Sequence, residues 1–300
     1  MPYFKEYYCT HTTGDTYVGV SVSASYKTQE YFSALPTEDD LEVLFGEPGL
    51  ICELSNAFED CTNMKASPRL PITVYNKSVW NGLAEAFMGC SSLLIPPLIP
   101  KNARLMSAFE GCASMAQAPV IPTSDSSITG TYMFRNCSSL RAPCSIPSSM
   151  YTITSIFEGC SAMSGEFIIR SNVSTYTDAL KNTTKPITIY GNRTRCEAVA
   201  ATANNGNASW QPWYDPVPAV TNRGQGSYTT AEDMTRMVRN GALAVNTYAP
   251  GRMVYQQGDI VREDEWNALV EAAQTIDPTV TYSTHYANLN KIEAAFDSAL

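Results

Sequence analysis

Five segments of the chain place a phenylalanine three residues before a cysteine: Phe58 and Cys61, Phe87 and Cys90, Phe109 and Cys112, Phe134 and Cys137, Phe157 and Cys160. The cysteines follow one another at intervals of 29, 22, 25 and 23 residues. A period in this range marks a chain that builds its core by stacking similar units, none of which can bury its apolar face alone. Other columns keep the same register. Met64, Leu93, Met115, Leu140 and Met163 lie three residues after the cysteines, and Leu70, Ile99, Ile121, Ile146 and Ile169 nine after. Ten after come Pro71, Pro100, Pro122 and Pro147, with Arg170 in the fifth copy. A sixth, decayed copy follows, with Leu180 and Thr183 in the aromatic and cysteine columns and the strand-like Ile187–Tyr190 behind them.

Each copy reads as one or two helical turns ahead of the cysteine, a bend, and a short strand such as Pro119–Pro122 that its last proline stops. Asn or Gly before the cysteine favours a helix end there. Stacking then lines the Phe, Cys and Leu/Met columns inside. The expected architecture is an α/β repeat solenoid, leucine-rich-repeat-like, of about six short units. It has an N-terminal strand-rich cap at 1–50, where Tyr17–Val22 alternates, and spans 51–206, including a C-terminal cap with the helical Thr194–Ala201.

Composition narrows the function. The chain has 20 basic and 29 acidic residues, a net charge of -9, which repels a phosphate backbone, so nucleic acid is not an expected partner. No apolar run is long enough for a membrane span, and the first residues lack the pattern of an export signal, so neither insertion nor export is expected. Nine cysteines is an odd number, and most sit at one repeat position, so they read as reduced, buried thiols. They lie a repeat apart, unlike the close pairs of zinc sites, and no metal or other cofactor is expected. The two histidines, His11 and His285, are far from any nucleophile or ligand set, and hydrolase and nucleotide motifs are missing, so no catalytic residue is assigned.

Segments such as Ala108-Phe-Glu-Gly-Cys-Ala-Ser-Met-Ala-Gln-Ala-Pro119 and Met133-Phe-Arg-Asn-Cys-Ser-Ser-Leu-Arg-Ala-Pro143 resemble the BspA-type leucine-rich repeats of gut bacteria and of the viruses that infect them, over about residues 50 to 190. That resemblance implies a surface or adhesion module without catalytic residues.

Residues 207–227, rich in Asn, Pro, Gly and Trp, read as a linker. Beyond it, at 228–300, three segments align: Thr230–Met237, Arg262–Leu269 and His285–Ile292. Met234 with Met237, Trp266 with Leu269, and Leu289 with Ile292 fall on single helix faces behind polar helix starts, which predicts a small helical domain for docking or oligomerisation with Trp266 as an anchor. On this reading, residues 1–206 alone fold as a soluble monomer. The segments look like the short Ala-Glu-Asp-Leu-Asn helices of tail, fibre and adaptor proteins of tailed bacteriophages. Together the two resemblances imply a non-enzymatic structural or adhesion protein of a virion, made in the host cytoplasm. Its partners would be other virion proteins, a second copy, or a host surface glycan or protein. A bacterial cell-surface adhesin is the alternative, and a polysaccharide depolymerase the third reading. Candidate binding aromatics are Trp210, Trp213 and Tyr214 in the linker, which also suit packing on the last repeat, and Tyr75 and Trp80 in the longest gap between copies.

Overall fold

The computed structural model describes residues 4–11, 16–22, 50–52, 54–67, 70, 73–74, 82–125, 127–212 and 229–300. In each copy the run ahead of the cysteine is a chain of overlapping turns and not a helix. The residues five before and one before the cysteine both have positive φ: Asn56 and Asp60, Glu85 and Gly89, Ser107 and Gly111, Tyr132 and Asn136, Ser155 and Gly159, and Asp178 and Asn182 in the decayed copy. A right-handed helix cannot run through them. Only Gly, Asn and Asp fill the second of these positions, because they enter the left-handed region at least cost. Space matters too at Gly159, where a methyl would lie 2.5 Å from Asn136 Oδ1 of the preceding copy.

Backbone groups that a helix would have paired internally are paired between copies instead. Alternate N–H groups donate to the next copy, as Asn56, Phe58 and Asp60 do to the carbonyls of Ala84, Ala86 and Met88 at 2.7–3.0 Å. Those between them close on the residue three earlier, as Ala57 does on Leu54 and Cys61 on Phe58. The pattern repeats as far as Ser155 and Phe157, which donate to Thr177 and Ala179. It stacks Phe58, Phe87, Phe109, Phe134 and Phe157 with centroids 5.0, 5.5, 5.7 and 5.7 Å apart, and Phe167 closes the row edge-on at 5.8 Å. Beside the rings, the thiols of Cys90, Cys112, Cys137 and Cys160 donate to the carbonyls of Phe58, Phe87, Phe109 and Phe134 at 3.0–3.2 Å. In the sixth copy the hydroxyl of Thr183 donates within its own copy, to Leu180 O at 2.7 Å.

The strands depart from expectation as well. β1 (Phe4–His11) pairs antiparallel with β2 (Thr16–Val22) and with β3 (Leu50–Cys52), and β3 runs parallel to β4 (Thr73–Val74). β5 (Ile128–Thr129) and β6 (Met150–Thr152) form a separate parallel pair. β7 (Gly165–Ile169), β8 (Ile187–Gly191) and β9 (Ala208–Trp210) make a parallel three-stranded sheet, with α1 (Arg193–Ala200) between β8 and β9. The expected leucine-rich-repeat-like α/β solenoid is thus corrected: among the described residues the chain is mixed α/β, with sheets of four, two and three strands and no continuous solenoid sheet. Proline accounts for much of this. Pro96, Pro97, Pro100, Pro119, Pro122, Pro143 and Pro147 have no N–H for a ladder, and the returns of copies two to four make only isolated bridges such as Ala66–Ile95 and Gln117–Ala142. In the fifth copy, where Arg170 replaces proline, β7 forms.

Three longer helices follow: α2 (Ala231–Ala244), α3 (Glu263–Gln274) and α4 (Tyr286–Ala299). Thr230 and Asp233 cap α2 reciprocally at 3.0 and 3.1 Å, and Glu265 accepts from Arg262 N at 2.9 Å at the start of α3. His285 caps α4 by accepting from Ala287 N, which gives this histidine a structural role.

Phe109 sits mid-row with a ring on either side, so Phe109→Ala should cost about 3–5 kcal/mol. Urea unfolding checks this, and a loss below about 1 kcal/mol would show that the ring row contributes little.

Candidate docking surface

After its cysteine each copy returns along one side of the stack. Leu98, Val120, Ser145 and Ile168 hold the position eight residues after the cysteine in copies two to five, and Tyr190 is the β8 partner of Ile168. Val120, Ser145, Ile168 and Tyr190 are buried, because the helical part lies over them. Val120 N donates to Asp264 Oδ2 at 3.2 Å, Ser145 N to Pro250 O at 3.1 Å, and Arg170 Nε to Tyr248 O at 3.3 Å. Arg239 pairs with Glu166 at 2.8 Å, and Ile168 and Tyr190 belong to the same apolar cluster as Met234, Met237 and Val270.

The cover ends at the third copy. Leu98 is 42% exposed, and its neighbours Leu94 and Ile95 are 54% and 60% exposed. Beside them, at the seam, opens a cleft of about 560 Å³. Its stack wall carries Lys101, Val120 and Pro122, and its helix wall carries Ala268, Glu271 and Ala272 of α3. Ala268 and Ala272 are one turn apart on that wall, beside the longer Glu271 and Gln274. Lys65 and Lys101 are exposed on either side of the apolar residues in sequence and register, since Lys65 O accepts from Leu94 N and Ile95 N.

Elsewhere the buried charges are committed to the fold. Arg236 bridges Asp233 and, at 2.7 Å, Glu293; Arg252 pairs with Glu265 at 2.9 Å and Asp259 at 3.1 Å. Arg262 grips both oxygens of Asp264 at 2.9 and 3.0 Å, which orients that carboxylate towards Val120 N. Burial pushes the Glu265 carboxyl up, opposed by Arg252. Along the opposite edge of the stack Glu110 pairs with Arg135 and Glu158 with Lys181, so those charges cancel locally.

The residues singled out from sequence fall in three places. Phe58, Phe87, Phe109, Phe134 and Phe157, with Cys61, Cys90, Cys112, Cys137 and Cys160, are buried in the stack. Met234, Met237, Leu269, Leu289 and Ile292 are buried in the chain's own helical core, and Trp266 packs against that core with Nε1 donating to Tyr282 O at 2.8 Å. The surface these side chains bury here is intramolecular. Trp210, in β9, donates to Gly191 O at 3.1 Å and packs on the last copy. Tyr75, Trp80, Trp213 and Tyr214 lie outside the described residues. Sequence reasoning missed Leu94, Ile95 and Leu98, although the unbroken run Leu93-Leu-Ile-Pro-Pro-Leu-Ile-Pro100 holds more apolar residues than one inward-facing side needs.

Two thiols of the stack are held in the neutral form. Burial pushes Cys112 and Cys160 up to about 12, and among the described residues no group of His, Cys, Asp and Glu is arranged to hold a metal ion. No family model matches the chain, and no curated protein or solved structure is significantly similar to it.

Two outcomes follow from this geometry. Cys112 and Cys160 ionise in the unfolded chain near the usual value of 9.0 but in the folded chain only near 12, so the stability they confer is complete below pH 9 and is lost as the pH rises towards 12. Each should contribute a slope of about 1.4 kcal/mol per pH unit, and Cys112→Ala should flatten the alkaline melting curve; an unchanged curve would contradict their burial. The seam makes the second outcome. Residues 1–206 alone would expose Ile168 and Tyr190, so that fragment should associate, or unfold at a lower denaturant midpoint than the full chain. A soluble monomer with the same midpoint would show that the seam adds no stability.

Proposed function

We propose that this chain is a non-enzymatic structural or adhesion protein of a bacteriophage particle, a fibre, tail or decoration component that holds a rigid surface for another protein. One observation carries the reading: Leu94, Ile95 and Leu98 stand exposed where the helical cover of the stack ends. Grouped exposed apolar side chains beside a cleft are the usual mark of a contact surface. Behind them, copy-to-copy hydrogen bonds and the ring row supply stiffness, which lowers the ordering cost of binding. The likeness of residues 50–190 to BspA-type repeat sequences, and of the three aligned segments after 228 to phage tail and adaptor helices, supports placement on a virion.

Density-gradient sedimentation of a phage lysate tests it. The chain should travel with intact particles at a fixed ratio to the major capsid protein. Recovery from the host envelope alone would favour the bacterial adhesin. Release of reducing sugar from host capsule at catalytic turnover would overturn the non-enzymatic reading and support a depolymerase.

A further inference from the structure

We infer that the strip Leu94–Leu98 and the adjoining cleft receive an amphipathic helix of a partner protein, one whose apolar stripe is flanked by acidic residues. The inference rests on the reading of this chain as a docking scaffold and names the partner's chemistry.

Continuity with an interface already present is the first argument. In copies three to five the eighth position after the cysteine is sealed by the chain's own helical part, through Asp264 at Val120, Pro250 at Ser145, and the Met234 cluster at Ile168. Leu98 continues that column with no cover among the described residues. A further helix laid alongside α3 would extend the same layer by one element.

The shape of the groove is the second. α3 presents Ala268 and Ala272 to the cleft, and the facing wall is Val120 and Pro122. Small side chains one turn apart let a second helix approach closely at Ala268 and Ala272, and its apolar anchors would fall on Leu98 and in the cleft. Charge is the third. The chain is acidic overall, at -9, but on the stack side of the strip Lys65 and Lys101 are exposed, while Glu271 is exposed on the α3 wall of the cleft. Glutamates on the stack-facing side of the partner's stripe would meet the two lysines and lie away from Glu271, while a second copy of this chain would bring its net negative charge as a whole.

The experiment uses the full chain and a fluorescent synthetic helix with leucines at one-turn spacing flanked by glutamates, read by anisotropy. Saturable binding is expected. Leu98→Asp and Ile95→Asp should each weaken it by about tenfold or more, with melting temperatures unchanged because both side chains are exposed. Lys101→Glu should weaken the glutamate-flanked helix and strengthen a lysine-flanked one. Failure to bind, or equal binding by the parent chain and both aspartate variants, would overturn the inference. So would a concentration-dependent dimer, seen by sedimentation, that the same substitutions abolish, since a second copy would then own the strip. Helix binding by a chain absent from particles would leave this inference standing and remove the virion reading alone.

Discussion

Donation of alternate backbone N–H groups from one copy to the next is the constraint on which the rest of the structure depends. It goes with two residues in each copy, four apart, that take left-handed φ values, and with them every second N–H turns outward along the stack. The ring row is a consequence. Once backbones are tied at a fixed spacing, side chains at equivalent positions superpose, and a flat phenylalanine fills that spacing in near-parallel contact. Cysteine suits the neighbouring column for a related reason. It is small enough for the interior, and its thiol gives a second donor to a carbonyl that already accepts one N–H, as at Phe58 O from Cys61 N and Cys90 Sγ.

The helical part is the complement of that stack, not an appendage to it. Its first cluster includes Ile168 and Tyr190, which belong to copies five and six, and its buried carboxylate Asp264 reaches a backbone N–H of copy three. Burial of Asp264 is tolerated because Arg262 neutralises it and the Val120 N–H uses a remaining lone pair. The core of the three helices thereby takes in Ile168 and Tyr190 of the repeats. What remains outward is set by where they stop.

Much of this was legible in the sequence, and the misreadings have physical causes. The Phe, Cys and Leu/Met columns identified buried positions because their period exceeds any local noise. The start of α2 was visible in Thr230 and Asp233, whose side chains cap the helix. The form of the copy was misread. Runs such as Leu105–Phe109 have helical composition, but Ser107 and Tyr132 adopt positive φ for no reason their side chains declare; pairing with the next copy imposes it, and such pairing is invisible in a single copy. The helical apolar pairs were read as contacts for another chain because sequence shows that a face is apolar without showing what covers it. The exposed strip escaped notice for the converse reason: Leu98 stands in the same column as Val120, and only the extent of the helical cover distinguishes them.

The two halves of a copy donate differently. Before the cysteine, N–H groups point to the later copy; after it they point both ways, to the earlier copy from Leu94 to Lys65, Ser114 to Ser91 and Ser139 to Ala113, and to the later one from Ser67 to Ile95 and Ile146 to Ile168. Every copy therefore presents the same pair of faces to its neighbours, and a chain lengthened or shortened by one whole copy would keep both of its terminal surfaces. Copies three to five are pinned to the helices through Val120, Ser145 and Ile168, so a copy could be added without breaking those contacts only before Val120, and one inserted between Leu98 and Val120 would carry the exposed apolar strip away from the helices without altering either.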